Sequence, residues 1–105
     1  MKLHQGFEVV FSNFDEIRII NLASRKDRRA KMIGELRRVG IADDPRVEFF
    51  DAISFPDAGA FSSPGARGVF YSQLEILDQA ARRGHSVLIV EDDVDFVDGA
   101  KKFVP

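Results

Sequence analysis

Apolar positions along this chain alternate between short unbroken runs and runs spaced three or four residues apart. Phe7, Val10, Phe11 and Phe14 fall on one face of a short helix and read as a satellite hydrophobic cluster beside the core. Residues 17–22 form a run rich in β-branched side chains, the first firm strand. Met32, Ile33, Leu36 and Val39 then recur at helical spacing. Ser24 is placed to cap that helix, with Asp27 three residues on, and Gly40 ends it. Arg37 and Arg38 occupy its last turn, where the helix dipole favours cations. Residues 47–50 make a second strand leading into Asp51. The stretch from Ser54 to Arg67 holds Pro56, Gly59, Ser62, Ser63, Pro64 and Gly65 and reads as a long loop. Phe70, Leu74, Leu77 and Ala81 form the apolar stripe of a second helix, which Gly84 stops. Val87-Leu88-Ile89-Val90 reads as a strand buried on both faces.

The order strand, helix, strand, loop, helix, strand predicts an α/β fold with right-handed crossovers. Residues 17–22, 47–51 and 87–91 should be parallel neighbours in a small sheet, flanked by helices near 25–39 and 66–83. The 105 residues make one domain. Residues 1–14 read as an extension, 15–96 as the α/β unit and 97–105 as a tail. With so little chain after Asp93, the expectation is the front part of something larger.

Composition narrows the function. At 45% hydrophobic and 30% charged, the chain is globular rather than disordered. A net charge of -2 gives no reason to expect nucleic-acid binding. With no cysteine, disulfides, thiolate catalysis and cysteine-based zinc sites are excluded. No apolar run is long enough to cross a membrane, and the first residues lack the apolar core of a signal peptide, so the expected location is the cytoplasm. His4 and His85 carry no recognisable chemistry, and no Ser-His-Asp constellation is visible.

The candidate chemistry lies in Glu91-Asp92-Asp93, which follows the last strand without a break. Ligands of open α/β sheets bind beyond the carboxyl ends of the strands. Adjacent like charges there favour a cation, and an all-oxygen set suits Mg²⁺ or Mn²⁺. The alternative is a solvated turn. Arg25, Lys26, Arg28 and Arg29 lie after the first strand at the start of a helix, where anions are favoured. For Arg25 and Arg28, phosphate binding and a solvated charged face are equal readings.

Four segments resemble glycosyltransferase family 25, the lipopolysaccharide-type glycosyltransferases, in its amino-terminal, donor-binding part. They are Ile20-Asn21-Leu22 with Arg25, Asp27 and Arg28; Phe49-Phe50-Asp51-Ala52-Ile53; residues 65–72, ending in Ser72; and Leu88-Ile89-Val90-Glu91-Asp92-Asp93-Val94. They fall in the family's order and cover residues 17–96. Gln73 stands where the family commonly has histidine, and family members usually continue well beyond the acidic motif. The resemblance implies a nucleotide-sugar-transferase-like (GT-A-like) fold, truncated here. It implies transfer, with inversion, from a UDP-sugar such as UDP-galactose to a saccharide acceptor such as lipopolysaccharide, at the inner face of the membrane or in the cytoplasm. It tips Arg25 and Arg28 toward the donor. It also implies Asp93 as the direct ligand of Mn²⁺ or Mg²⁺, Glu91 as a second or water-mediated ligand, and Asp95 as a third. Asn21, Asp51 and Ser72 complete the implied donor set; Asn21 also reads as a turn residue and Asp51 as a cap.

Two other readings stand beside this one. A non-catalytic nucleotide-binding or interaction module would keep the donor half without turnover, and core surface left bare by a missing half would favour a homodimer. A receiver-like Mg²⁺ pocket shares the acidic run, but leaves no room after it for the phospho-acceptor and lysine strands.

Overall fold

A computed structural model describes residues 11–93. Three parallel strands form one sheet in the order β2-β1-β3: β1 (Glu16–Asn21), β2 (Val47–Asp51) and β3 (Val87–Glu91). Helix α1 (Lys26–Arg38) joins β1 to β2, and helix α2 (Pro64–Arg83) carries the chain from β2 across β1 to β3. The expected parallel trio is present, with β1 at the centre and all six of its residues buried. Among the described residues no helix is long and apolar enough to cross a membrane.

Alternation along β1 divides the core in two. Ile17 and Ile19 face α1. They pack with Met32, Leu36, Val39, Ile41 and Val90, and Val47, Phe49 and Leu88 lie against the edge of this cluster. Phe11 is buried in the same cluster, so it belongs to the main core rather than a satellite. Arg46, ion-paired to Asp44 at 2.7 Å, donates to the Phe11 and Phe14 carbonyls and fastens that segment down. Phe7 and Val10 lie outside the described residues.

The other face of β1 carries Glu16, Arg18 and Ile20, and α2 covers it. The residues that α2 buries are Gly68, Ser72, Ile76 and Ala80. The predicted stripe Phe70, Leu74, Leu77 and Ala81 is exposed instead, on the opposite side of the helix. Spacing identified the helix but not its packed face. Small residues win that face because they let α2 approach the sheet closely. Gly68 shows how closely: a Cβ there would lie 2.3 Å from the Ile53 carbonyl oxygen.

Both helices start elsewhere than expected, while Gly40 and Gly84 close them as expected. Helix α2 begins at Pro64, inside the predicted loop, with Ser63 as its N-cap accepting the Ala66 N–H at 3.0 Å. Gly84 closes it in the left-handed conformation, φ 69°. Helix α1 is preceded by Arg25, not Ser24, and no side chain of the N-cap residue bonds to it. Asp27 does not complete a capping box; its carboxylate takes the Arg25 guanidinium instead.

Two charged side chains are buried under α2. Glu16 is 8% exposed and Arg18 is 5% exposed. Glu16 Oε1 accepts from Arg83 at 2.8 Å and from Arg18 at 3.5 Å, and Oε2 is hydrogen-bonded to His85 Nδ1 at 2.8 Å. Arg18 also donates to Gln79 Oε1 at 3.0 Å. Burial pushes the Glu16 carboxyl up, but the His85 hydrogen bond and the charges of Arg83, His85 and Arg18 outweigh it, holding it below its ordinary value of 4.5. Glu16→Gln should cost roughly 2–4 kcal/mol in denaturant melts at pH 7, because buried Arg18 loses its counter-charge. A lowered carboxyl contributes stability that is complete above pH 4.5 and is lost as pH falls through the folded value. The gap between wild type and variant should therefore close on acidification below pH 4.5.

Candidate functional site

The chain leaves β1 toward β2 on one side and reaches β3 on the other. Beyond the carboxyl ends of β1 and β3 the connections diverge, and α/β sheets bind ligands at such a switch point. A crevice of about 400 Å³ opens there. Its walls are Ile20, Leu22, Arg25 and Arg28 from the β1 side; Ala52 to Phe55 after β2; Pro64, Gly65, Gly68 and Val69 from the start of α2; and Glu91, Asp92 and Asp93 after β3.

Backbone contacts set these walls. Ala52 N–H donates to the Asn21 carbonyl at 2.9 Å, extending the β1–β2 ladder by one step. Ile53 N–H then donates to Ser72 Oγ at 2.9 Å, while its carbonyl rests on Gly68. Two α2 residues one turn apart thus fix the chain leaving β2. The loop beyond is ordered by Arg67, which pairs with Asp57 at 2.8 Å and lies 3.9 Å from the Phe55 ring. Phe61 packs against Phe70 and Tyr71, with centroids 5.2 and 6.0 Å away.

Charge is arranged in pairs. Arg25 donates from Nε and Nη2 to the two Asp27 oxygens at 3.0 and 2.9 Å. Asp92 accepts from Asn21 Nδ2 at 2.8 Å, and its other oxygen lies 3.6 Å from Arg28 Nη1. Asn21 Nδ2 also reaches the Arg25 carbonyl at 3.4 Å. The Asn21 amide therefore ties the end of β3 to the turn entering α1. Among the described residues no ion pair involves Glu91 or Asp93, and both are exposed.

Of the sequence-derived candidates, Arg25, Arg28, Glu91 and Asp93 line the crevice together. Asn21 is buried beneath it and acts through Asp92. Ser72 is fully buried and serves the Ile53 backbone. Asp51 is exposed at the end of β2, paired in register with Asn21, and does not line the crevice. Asp95 lies outside the described residues. Asp92 and Gly68 were not singled out from sequence. Alternation could have found Asp92: it falls on the side of β3 that carries Val90, facing α1 and hence Arg28.

Among the described residues no group of three or more His, Asp and Glu side chains is placed to hold a metal ion. Glu91 and Asp93 are the exposed carboxylates at the crevice from which a nucleotide-bound cation could take its protein ligands. Mg²⁺ is commonly held by one or two carboxylates, with phosphate oxygens and water completing the shell.

This is an α/β unit with a largely apolar crevice bearing charged side chains at its switch point, and its sequence is similar to glycosyltransferase 25 family members. The rat protein named probable inactive glycosyltransferase 25 family member 3 is 32% identical over 107 aligned positions, covering 85% of this chain and 19% of the relative. The mouse protein named inactive glycosyltransferase 25 family member 3 is 31% identical, covering 85% of this chain and 18% of the relative. The chain thus spans about a fifth of the length of these curated relatives. No protein-family model matches the chain, and no solved structure matches it significantly.

Gly68→Ala should destabilise the domain by roughly 1–3 kcal/mol, because the Ile53 carbonyl must move. Amide exchange should rise at Ile53, whose N–H bonds to Ser72 on the same helix. Gly65→Ala has only the flexible Ser63 hydroxyl, 3.7 Å away, beside it and should be tolerated.

Proposed function

We propose that this chain is the donor-binding part of a glycosyltransferase 25-type domain, and that the crevice takes a UDP-sugar, UDP-galactose first among them. The carrying observation is the convergence of Arg25, Arg28, Glu91 and Asp93 on one switch-point crevice. Similarity to the glycosyltransferase 25 relatives supports the same reading.

The charges specify how a diphosphate would enter. Arg25 and Arg28 already have carboxylate partners, so Glu91 and Asp93 leave the crevice net negative. A diphosphate arriving alone would be repelled. Mn²⁺ or Mg²⁺ held by Glu91 and Asp93 would supply a charge bridge to it and stabilise charge on the leaving nucleotide. Arg25 and Arg28 would orient the diphosphate oxygens through the guanidinium fork. Asn21 would hold the two sides of the crevice in register through Asp92. The acceptor of the fuller reaction would be a saccharide such as lipopolysaccharide.

The names of both relatives favour a second reading, in which the unit binds the donor without transferring it. Calorimetry separates the possibilities. Mn²⁺ should tighten UDP binding at least about tenfold, and Asp93→Asn should remove that gain while leaving the thermal midpoint unchanged. Equal UDP affinity with and without metal would overturn the donor reading. Transfer of labelled galactose from UDP-galactose to saccharide acceptors would establish turnover. Metal-dependent binding without transfer would establish the non-catalytic module.

A further inference from the structure

Arg25 faces the crevice with its fork already occupied. The Nε–Nη2 edge of the guanidinium, which could grip two phosphate oxygens side by side, instead holds the two oxygens of Asp27, at 3.0 and 2.9 Å. The Asp27 carboxylate stands where an anionic ligand of Arg25 would stand. The Arg25 hydrogen bond holds that carboxyl well below the usual carboxylate range, so it is charged at any physiological pH.

The two aspartates that hold the crevice arginines differ in how they are anchored. Asp92 is 11% exposed and bonded to the buried Asn21 amide at 2.8 Å, so it cannot leave without breaking the shorter of the two hydrogen bonds that amide makes. Asp27 is 68% exposed and its pair with Arg25 lies in water, where such pairs are weak and screened by salt. Asp27 can release its arginine cheaply; Asp92 is part of the frame.

We propose that Asp27 sets the affinity of the crevice: its carboxylate is an internal competitor that occupies Arg25 when the crevice is empty and gives it up when a phosphorylated ligand binds. The proposal rests on the reading of the crevice as a phosphate-binding site, and it makes Asp27 a residue whose removal improves binding. A gain of affinity is a readout that loss of folding cannot imitate.

The test uses inorganic pyrophosphate as the probe, with UDP in parallel, both with Mn²⁺ present. Asp27→Asn keeps the side chain's size and its oxygen acceptor while removing the charge. It should tighten pyrophosphate binding about three- to tenfold at low salt, with the advantage shrinking as salt rises. Asp27→Ser, equally neutral, should show the same direction. In the double variant Arg25→Gln, Asp27→Asn the gain should vanish, because the freed guanidinium is its source. Unchanged or weaker pyrophosphate binding by both single variants would overturn the proposal. So would a gain that survives removal of Arg25, which would make the effect one of net charge. If Asp27→Asn tightens pyrophosphate but UDP never binds better than pyrophosphate, the competitor role stands and the nucleotide reading fails.

Discussion

Hydrogen bonding on both edges of β1 is the constraint from which the rest follows. A strand with parallel neighbours on both sides cannot be joined to either by a tight turn. The chain must leave it over one face and return over the other. That places α1 against Ile17 and Ile19, and α2 against Glu16, Arg18 and Ile20. It also forces the connections apart beyond Asn21, and the crevice is the space between them. The site is a consequence of strand order before it is a consequence of any side chain.

The two faces of β1 are stabilised by different physics. Against α1 the packing is apolar, with Ile19 and Val39 fully buried. Against α2 the sheet presents an ion pair, and the helix answers with small residues, Arg83 and Gln79. Among the described residues Arg18 Nε finds no partner, so the network is tight but not fully satisfied there. The close approach of α2 has a purpose at its other end, where Gly68 and Ser72 take hold of Ile53 and shape the crevice wall. One helix thus pins the polar face of the sheet at its carboxyl end and the candidate site at its amino end.

Within the crevice, exposure decides which charges are structural and which are available. Asp92 is committed to Asn21 and the frame. Glu91 and Asp93, one residue to either side, are exposed at the mouth. Adjacent carboxylates therefore have unlike roles because alternation turns them to opposite sides of the strand end. The arginines divide in the same way. Arg28 leans on a largely buried, anchored partner, and Arg25 on an exposed one.

Local pattern was sufficient for the elements. Residues 17–22, 47–51 and 87–91 announced strands because β-branched and apolar runs of that length suit little else, and alternation with helical spacing implied parallel pairing. The basic turn and the acidic run were equally visible, since each is contiguous in sequence. Four features took a role other than the one local pattern suggested. Periodicity pointed to the bulkier stripe Phe70, Leu74, Leu77 and Ala81 as the packed face of α2, and only the close approach of the helix to the sheet selected Gly68, Ser72, Ile76 and Ala80. Ser72 looked like a ligand-facing residue until Ile53 took its hydroxyl. Asp27 looked like a cap until the Arg25 fork reached it. Asp92 acquired its role only when 71 residues of intervening chain brought it to Asn21. The sequence determined which segments form strands and helices because that choice is set by neighbours along the chain. The tertiary structure decided the distant pairings, Asp92 with Asn21 and Arg28 and Glu16 with Arg83 and His85, because those partners come together only when the chain has crossed both faces of β1.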